Sequence, residues 1–317
     1  MNASDKIKGA LYGLALGDAL GIGTEFMTVD EIHNYYPDGL TDFTQFIRDA
    51  HRATFQRGSW SANTEVVLRL IETIANHKDI RLKDVAHTLR EWYLESPEDV
   101  MPVYRAVIGN PRWEDNPITE CHSTWRERNI TEATNEAIHR ALIIAVISES
   151  DTDIHRWCHR LVSLTHDDIR CMASTAVIAK WLHSVIIEGK EASREDLEQF
   201  CRQIDSRTLI YIKAAGDGDL SNLHLDDEDT YWYTRKSMAS ALWAIWHLDS
   251  PEAILREIVH AGGDANTNAS LAVMCAGAKY GYDALPPLKD KILNRDRLDK
   301  AIDQLISIRG YGKSHNM

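Results

Sequence analysis

The chain has 317 residues, 44% of them hydrophobic and 8% aromatic, enough to bury a substantial core and too apolar for a disordered chain. Its formal net charge of −13 repels nucleic-acid phosphates and anionic membrane surfaces, so neither is an expected partner. Five cysteines, at 121, 158, 171, 201 and 275, are odd in number and form no C-x-x-C, which favours reduced thiols and a cytoplasmic protein.

Lys6 and Lys8 precede an apolar segment, as in a signal peptide, but Asp18 interrupts it and no small-x-small cleavage site follows. A membrane span needs ~20 apolar residues, and no such run is expected. Gly9, Gly13, Gly17 and Gly21 recur every fourth residue, with Ala10, Ala15 and Ala19 between them. On a helix these glycines share one bare face, which lets a neighbouring helix approach closely. Asp18 and Glu25 follow as candidate site carboxylates.

Residues 37–62 hold few periodic apolar positions, and a loop of this length is more often functional than idle. It delivers Trp60 and Ser61 and is a candidate lid. The segment Arg57-Gly-Ser-Trp60-Ser61-Ala62-Asn63-Thr64-Glu65 then opens a helix with Val66, Val67, Leu70, Ile71 and Ile74 on its apolar positions. Residues 81–109 are again helical, with Leu82, Val85, Ala86, Leu89 and Trp92 on one stripe. Asn135, Glu136, His139 and Arg140 stand in the next polar stretch, where His139 by itself reads as a packed or surface histidine.

His155, Cys158 and His159 have a spacing that can hold zinc, but no fourth ligand is evident and Trp157 and Leu161 mark an ordinary core helix. Thr165-His166 precedes another long apolar helix. The acidic run 216–229 lacks the glycine and terminal glutamate of a calcium-binding loop and reads as solvated. Tyr231 to Trp246 carry an apolar stripe with several aromatics. After the amphipathic run 251–260 comes Ala261-Gly262-Gly263-Asp264-Ala265-Asn266-Thr267-Asn268. Two glycines turn the chain there, and Asp264 stands where an N-cap carboxylate would. Oxygen donors beside a positive helix end suit a hard cation, a phosphate, or a plain capped helix. About a dozen helical patterns and no alternating strand predict an all-α fold, and no linker divides it, so a single domain over 1–317 is expected.

Four of these stretches, and the order they come in, resemble the ADP-ribosylglycohydrolase family, relatives of the dinitrogenase-reductase-activating glycohydrolase. The opening Gly17-Asp18-Ala-Leu-Gly21 and Thr24-Glu25-Phe26 resemble its first signature, residues 58–64 its Gly-x-Trp-[Ser/Thr]-Asp-Asp-Thr, Thr165-His166 its Thr-His turn ahead of a long helix, and residues 262–268 its Gly-Gly-Asp-x-Asp-Thr-Asn. The likeness runs from Gly9 to Pro286 and implies a compact orthogonal all-α bundle that hydrolyses an N- or O-glycosidic bond to ADP-ribose or a related ribosyl compound, free or on a protein. In the family two magnesium ions sit on positions that fall here on Ser61, Ala62, Asn63, Asp264, Asn266 and Thr267. Of four family carboxylates only Asp264 is kept, so formal ligand charge falls from −4 to −1. Two close dications would then repel with little compensation, and at most one weak magnesium, or none, is expected.

The resemblance further implies Asp264 as catalytic acid/base and Glu25 as a mobile, water-positioning glutamate. Trp60, Asn135, Arg140, His166, Gly262 and Gly263 are implied as ligand contacts. Asn135 and Arg140 match the family's Ser-Asn-Gly-x-x-Met-Arg segment, but Glu136 replaces the glycine and His139 the methionine. A carboxylate there opposes a diphosphate. The same losses fit a second reading, a catalytically silent protein that binds ADP-ribose or a partner.

Overall fold

The computed structural model describes residues 1–97 and 99–309. Among them are fifteen α-helices and several short 3-10 turns, and the β-structure is a single isolated bridge between Thr134 and Tyr233. The expected all-α fold is what the chain adopts.

The helices Ala3–Gly21 and Ala265–Tyr280 lie antiparallel at the centre. Their register follows the four-residue glycine repeat. A Cβ built on Gly9 would sit 2.1 Å from the Gly277 carbonyl oxygen, on Gly13 2.2 Å from that of Val273, on Gly17 2.3 Å from that of Ala269, and on Gly21 2.4 Å from Asn266 Cα. Steps of four on one helix thus meet steps of about four on the other, backbone against backbone. The last step lands on Asn266, so this packing fixes where the second motif sits.

Around this pair pack Thr234–His247, Pro251–His260, Arg295–Ser307 and Ala62–His77. One large apolar core runs from Ile7 to Ile308, with a small cluster of Ala133, Ala137, Val162 and Cys171 beside it. All five cysteines are unpaired and buried. The helix Ile169–His183 continues through a π-helical turn, Ser184–Glu188. Contrary to the sequence reading, the stretch Ile169–Glu188 is long and apolar enough to cross a membrane. Most of it is buried inside the fold, which is what a core helix requires.

Candidate functional site

The site forms where the two central helices meet the start of Ala62–His77. Asp18, in the last turn of its helix, is fully buried and accepts four hydrogen bonds. Ser61 gives its backbone N–H at 3.1 Å and its hydroxyl at 2.6 Å, and Thr64 does so at 3.0 and 2.6 Å. One carboxylate therefore satisfies the free N–H groups at the start of a second helix and locks the first motif to the core. Burial pushes the Asp18 carboxyl up from its usual range, and these four donors pull it back. It ties the first motif to the core from behind the site.

The would-be metal ligands bond to one another. Asn63 Nδ2 donates to Thr267 Oγ1 at 3.0 Å, and Asn266 Nδ2 to Ser61 Oγ at 3.4 Å. The Asn266 amide oxygen is turned back onto the Thr267 N–H at 2.8 Å. Magnesium needs oxygen lone pairs, preferably charged, converging at ~2.1 Å. Here amide hydrogens point at the hydroxyl oxygens instead, and Ala62 offers no donor atom. Among the described residues no three Asp, Glu, His or Cys side chains are placed to hold a metal ion together. The residues do not fit a binuclear magnesium site.

Asp264 occupies the cap position of Ala265–Tyr280 but makes no side-chain bond to the helix N–H groups, unlike an ordinary capping carboxylate. Its Oδ2 accepts from Asn135 Nδ2 at 2.7 Å, and the same nitrogen lies 2.9 Å from Ser237 Oγ. Asn135, expected at the ligand, thus holds the catalytic candidate. Burial drives the Asp264 carboxyl up to about 7; the Asn135 and Thr267 donors oppose this, and the charges of Asp99 and Glu136 add to it. Glu25, also buried, is pushed well above the carboxylate range by burial first and then by Asp99, Asp264 and Asp18. Its Oε2 lies 2.7 Å from His51 Nε2.

Several expected contacts sit differently from the sequence reading. Gly262 and Gly263, at φ +70° and +65°, face backbone: a Cβ on them would meet the Met27 carbonyl oxygen at 2.3 Å and that of Leu225 at 1.9 Å. Both are glycine because of positive φ and these close backbones, Met27 after Glu25 at Gly262 and Leu225 at Gly263, while Phe26 N–H donates to the Gly263 carbonyl at 2.7 Å. Phe26 itself is left-handed at φ 62°, a strained conformation next to Glu25. Arg140 is completely buried, its terminal nitrogens bonded to the Leu161 carbonyl, Tyr104 Oη and Thr165 Oγ1. It braces the Thr165-His166 turn and has no surface toward a ligand.

His166 is buried as well. Its Nε2 lies 2.7 Å from Glu136 Oε2 and 3.0 Å from Thr134 Oγ1, and its Nδ1 2.8 Å from Thr165 Oγ1. His139 is packed: its Nε2 meets Ser270 Oγ at 2.7 Å, and burial lowers its pKa to about 4, so it is neutral. Trp60 gives its indole N–H to Glu65 at 3.2 Å and lines, with Ser61, Ala62, Trp92 and Asp99, a cavity of about 240 Å³.

The loop 37–62 is not free to act as a lid. Tyr36 Oη and Arg52 Nε both donate to the Gly23 carbonyl, at 2.9 and 2.8 Å, and Arg52 Nη2 reaches the Glu25 carbonyl at 2.6 Å. With Leu40, Phe43 and Phe46 also buried, it is a fixed wall that brings His51 to Glu25.

Sequence reasoning missed Asp99, His51 and Ser237. Asp99 lies in the break between Leu82–Leu94 and Pro102–Ile108, with the Ala62 backbone N–H close enough to favour its ionised form. Burial, Asp18 and Glu136 raise it to about 6. A carboxylate thus stands beside the residue where the motif lost one, and only the neighbouring Pro97 marked the break.

The family model for ADP-ribosylglycohydrolase matches residues 1–313. The chain belongs to the ADP-ribosylglycohydrolase family. It is 25% identical over 315 residues to an ADP-ribosylarginine hydrolase Tri1 of Serratia proteamaculans, covering 95% of this chain and 79% of that one. It is also 25% identical over 312 residues to the ADP-ribosyl-[dinitrogen reductase] glycohydrolase of Rhodospirillum rubrum, covering 96% and 97% of the two. A solved ADP-ribosylglycohydrolase-related protein complex superposes with a TM-score of 0.76 at 21% identity, over 97% of this chain and 99% of that one, and shares the fold.

Proposed function

We propose that this protein hydrolyses an N- or O-glycosidic bond to a ribosyl group, of ADP-ribose or a related compound, without a magnesium pair. The observation that carries this is Asp264, a buried carboxyl held by Asn135 and raised to about 7, and so poised to give up a proton near neutral pH. Its proton passes to the departing nitrogen or oxygen as the bond to C1 breaks, and the resulting carboxylate stabilises the positive charge on the sugar. Water then adds to C1. Glu25 orients it, and His51, bonded to Glu25 and part-exposed, carries the released proton toward solvent. Burial holds the His51 pKa below its usual value, so the ring is neutral and able to accept. The five buried thiols support a reducing, cytoplasmic setting.

The test is ribose release from ADP-ribosyl-arginine, ADP-ribosyl-serine and simple nucleosides, with magnesium and with chelator. Asp264→Asn is expected to cut the rate by two or more orders of magnitude. No release from any substrate defeats the hydrolase reading.

The mutual bonding of Asn63 with Thr267 and Asn266 with Ser61 favours a second reading, a binder that no longer turns over. Such a protein is stabilised by ADP-ribose or an ADP-ribosylated partner and releases nothing.

A further inference from the structure

We propose that Glu136 sets the ligand class of this site, admitting a neutral or cationic riboside and turning away one that brings a phosphate against it. The inference rests on the site being glycoside-binding and narrows what it takes.

The Glu136 carboxylate is nine-tenths buried and half engaged. Its Oε2 takes the His166 Nε2 at 2.7 Å and the Thr134 hydroxyl, while its backbone carbonyl accepts from Tyr104 Oη at 3.1 Å. With Thr165 Oγ1 at His166 Nδ1, this set is satisfied when Nε2 carries the ring proton. The carboxylate is therefore fixed from one side, and its other oxygen, Oε1, is buried with no hydrogen-bond partner. A buried carboxylate oxygen left bare is costly, and a ligand hydroxyl or N–H relieves it.

Its neighbours say which ligand. Glu136 follows Asn135, the residue bonded to Asp264, and its charge is felt at both Asp264 and Asp99. Glu25 in turn feels the charges of Asp99, Asp264 and Asp18. A diphosphate needs cations to balance them, and the nearest guanidinium groups are engaged. Arg52 bonds Gly23, Glu25 and Asp49; the terminal nitrogens of Arg140 bond Leu161, Tyr104 and Thr165. Across Thr134, in a cavity of about 390 Å³, Arg170 is bonded to Asp168 and the Thr131 carbonyl, and Lys236 to the His224 carbonyl and Thr230. Sugar hydroxyls and a cationic leaving group suit such a space, and phosphate oxygens do not.

The experiment is calorimetric titration of the full chain, wild type and Glu136→Gln, with adenosine and with ADP-ribose. Glutamine keeps the shape and an acceptor for His166 while removing the charge, and melting temperature confirms that it folds; Glu136→Ala serves if it does not. Expected are adenosine binding by the wild type at least tenfold tighter than its ADP-ribose binding, and a gain of at least tenfold for ADP-ribose on removing the charge. Wild type that binds ADP-ribose as tightly as the variant overturns the proposal, and so does a variant with no gain. Adenosine binding with no release from any of the substrates above defeats the hydrolase reading and leaves this one standing, whereas tight ADP-ribose binding with turnover of ADP-ribosyl-arginine by the wild type does the reverse.

Discussion

The Asn63 amide nitrogen donates to the Thr267 hydroxyl at 3.0 Å, joining the starts of Ala62–His77 and Ala265–Tyr280 directly. In the family a pair of cations bridges the same two motifs. Here the bridge is an amide hydrogen, which needs no ion. Converting Ala62, Asn63 and Asn266 together to Asp puts anionic oxygens in place of one methyl and two amides, beside Asp99, which already lies near the Ala62 N–H. Magnesium titration by calorimetry is expected to give little heat with wild type and a clear binding isotherm with the triple variant. Without metal the variant should be less stable by about 1–3 kcal/mol, from lost hydrogen bonds and crowded carboxylates. Tight binding of two ions by wild type contradicts the geometry described above.

The all-α fold and the place of both motifs were legible because helical periodicity and glycine spacing are local signals. Gly9, Gly13, Gly17 and Gly21 announced a close helix contact, though not that the partner would be Ala265–Tyr280 in matching register. Roles within the site were less legible. Asn135, Arg140, Gly262 and Gly263 carry the motif, yet they position Asp264, the His166 turn and the Glu25 segment respectively. Asp99 and His51 come from stretches with no motif, brought in by tertiary packing alone, and a sequence has no local sign for that.

Asp99 gives a pH test. An acid whose pKa is higher folded than unfolded keeps its proton longer in the fold, so stability falls as pH rises between the two values, here from ~4 to about 6. Above that window the ionised carboxylate weighs on the fold in full. Asp99→Asn keeps an acceptor for the Ala62 N–H and removes the charge. Its melting temperature should exceed that of wild type at pH 8, with the gain fading as pH approaches 4. Comparing the two proteins cancels the opposite trend of His139, whose lowered pKa makes acid destabilising. A gain that is the same at every pH counts against Asp99 as a site carboxylate.

Gly17→Ala tests the central helix pair. The added methyl would lie 2.3 Å from the Ala269 carbonyl oxygen and 2.5 Å from its carbon, both backbone atoms of a buried helix. Alanine gains ~1 kcal/mol in helix propensity, but separating the helices costs about 1–3 kcal/mol or more. Urea denaturation should show a net loss of stability. Because Asp18 is the next residue, the Ser61 and Thr64 bonds should loosen too, and ligand binding should weaken. An unchanged midpoint would mean that the two helices are not in this contact.

Asn135→Ala isolates how Asp264 is tuned. Among the groups acting on that carboxyl, the Asn135 amide is the foremost one favouring its ionised form, against burial and the charges of Asp99 and Glu136. Without the donor the proton is held more tightly, and the Asp264 pKa moves above about 7. If the protonated form is the one that donates to the leaving group, the alkaline limb of the kcat/KM profile moves to higher pH in the variant. The maximum rate should fall as well, since Asn135 also fixes Asp264 in place through its contact with Ser237. Asn135→Asp offers a contrasting case, because a second carboxylate beside Asp264 raises its pKa further by charge. Its alkaline limb should lie higher again than that of the alanine variant. An alkaline limb that stays fixed across all three proteins removes Asp264 as the titrating acid.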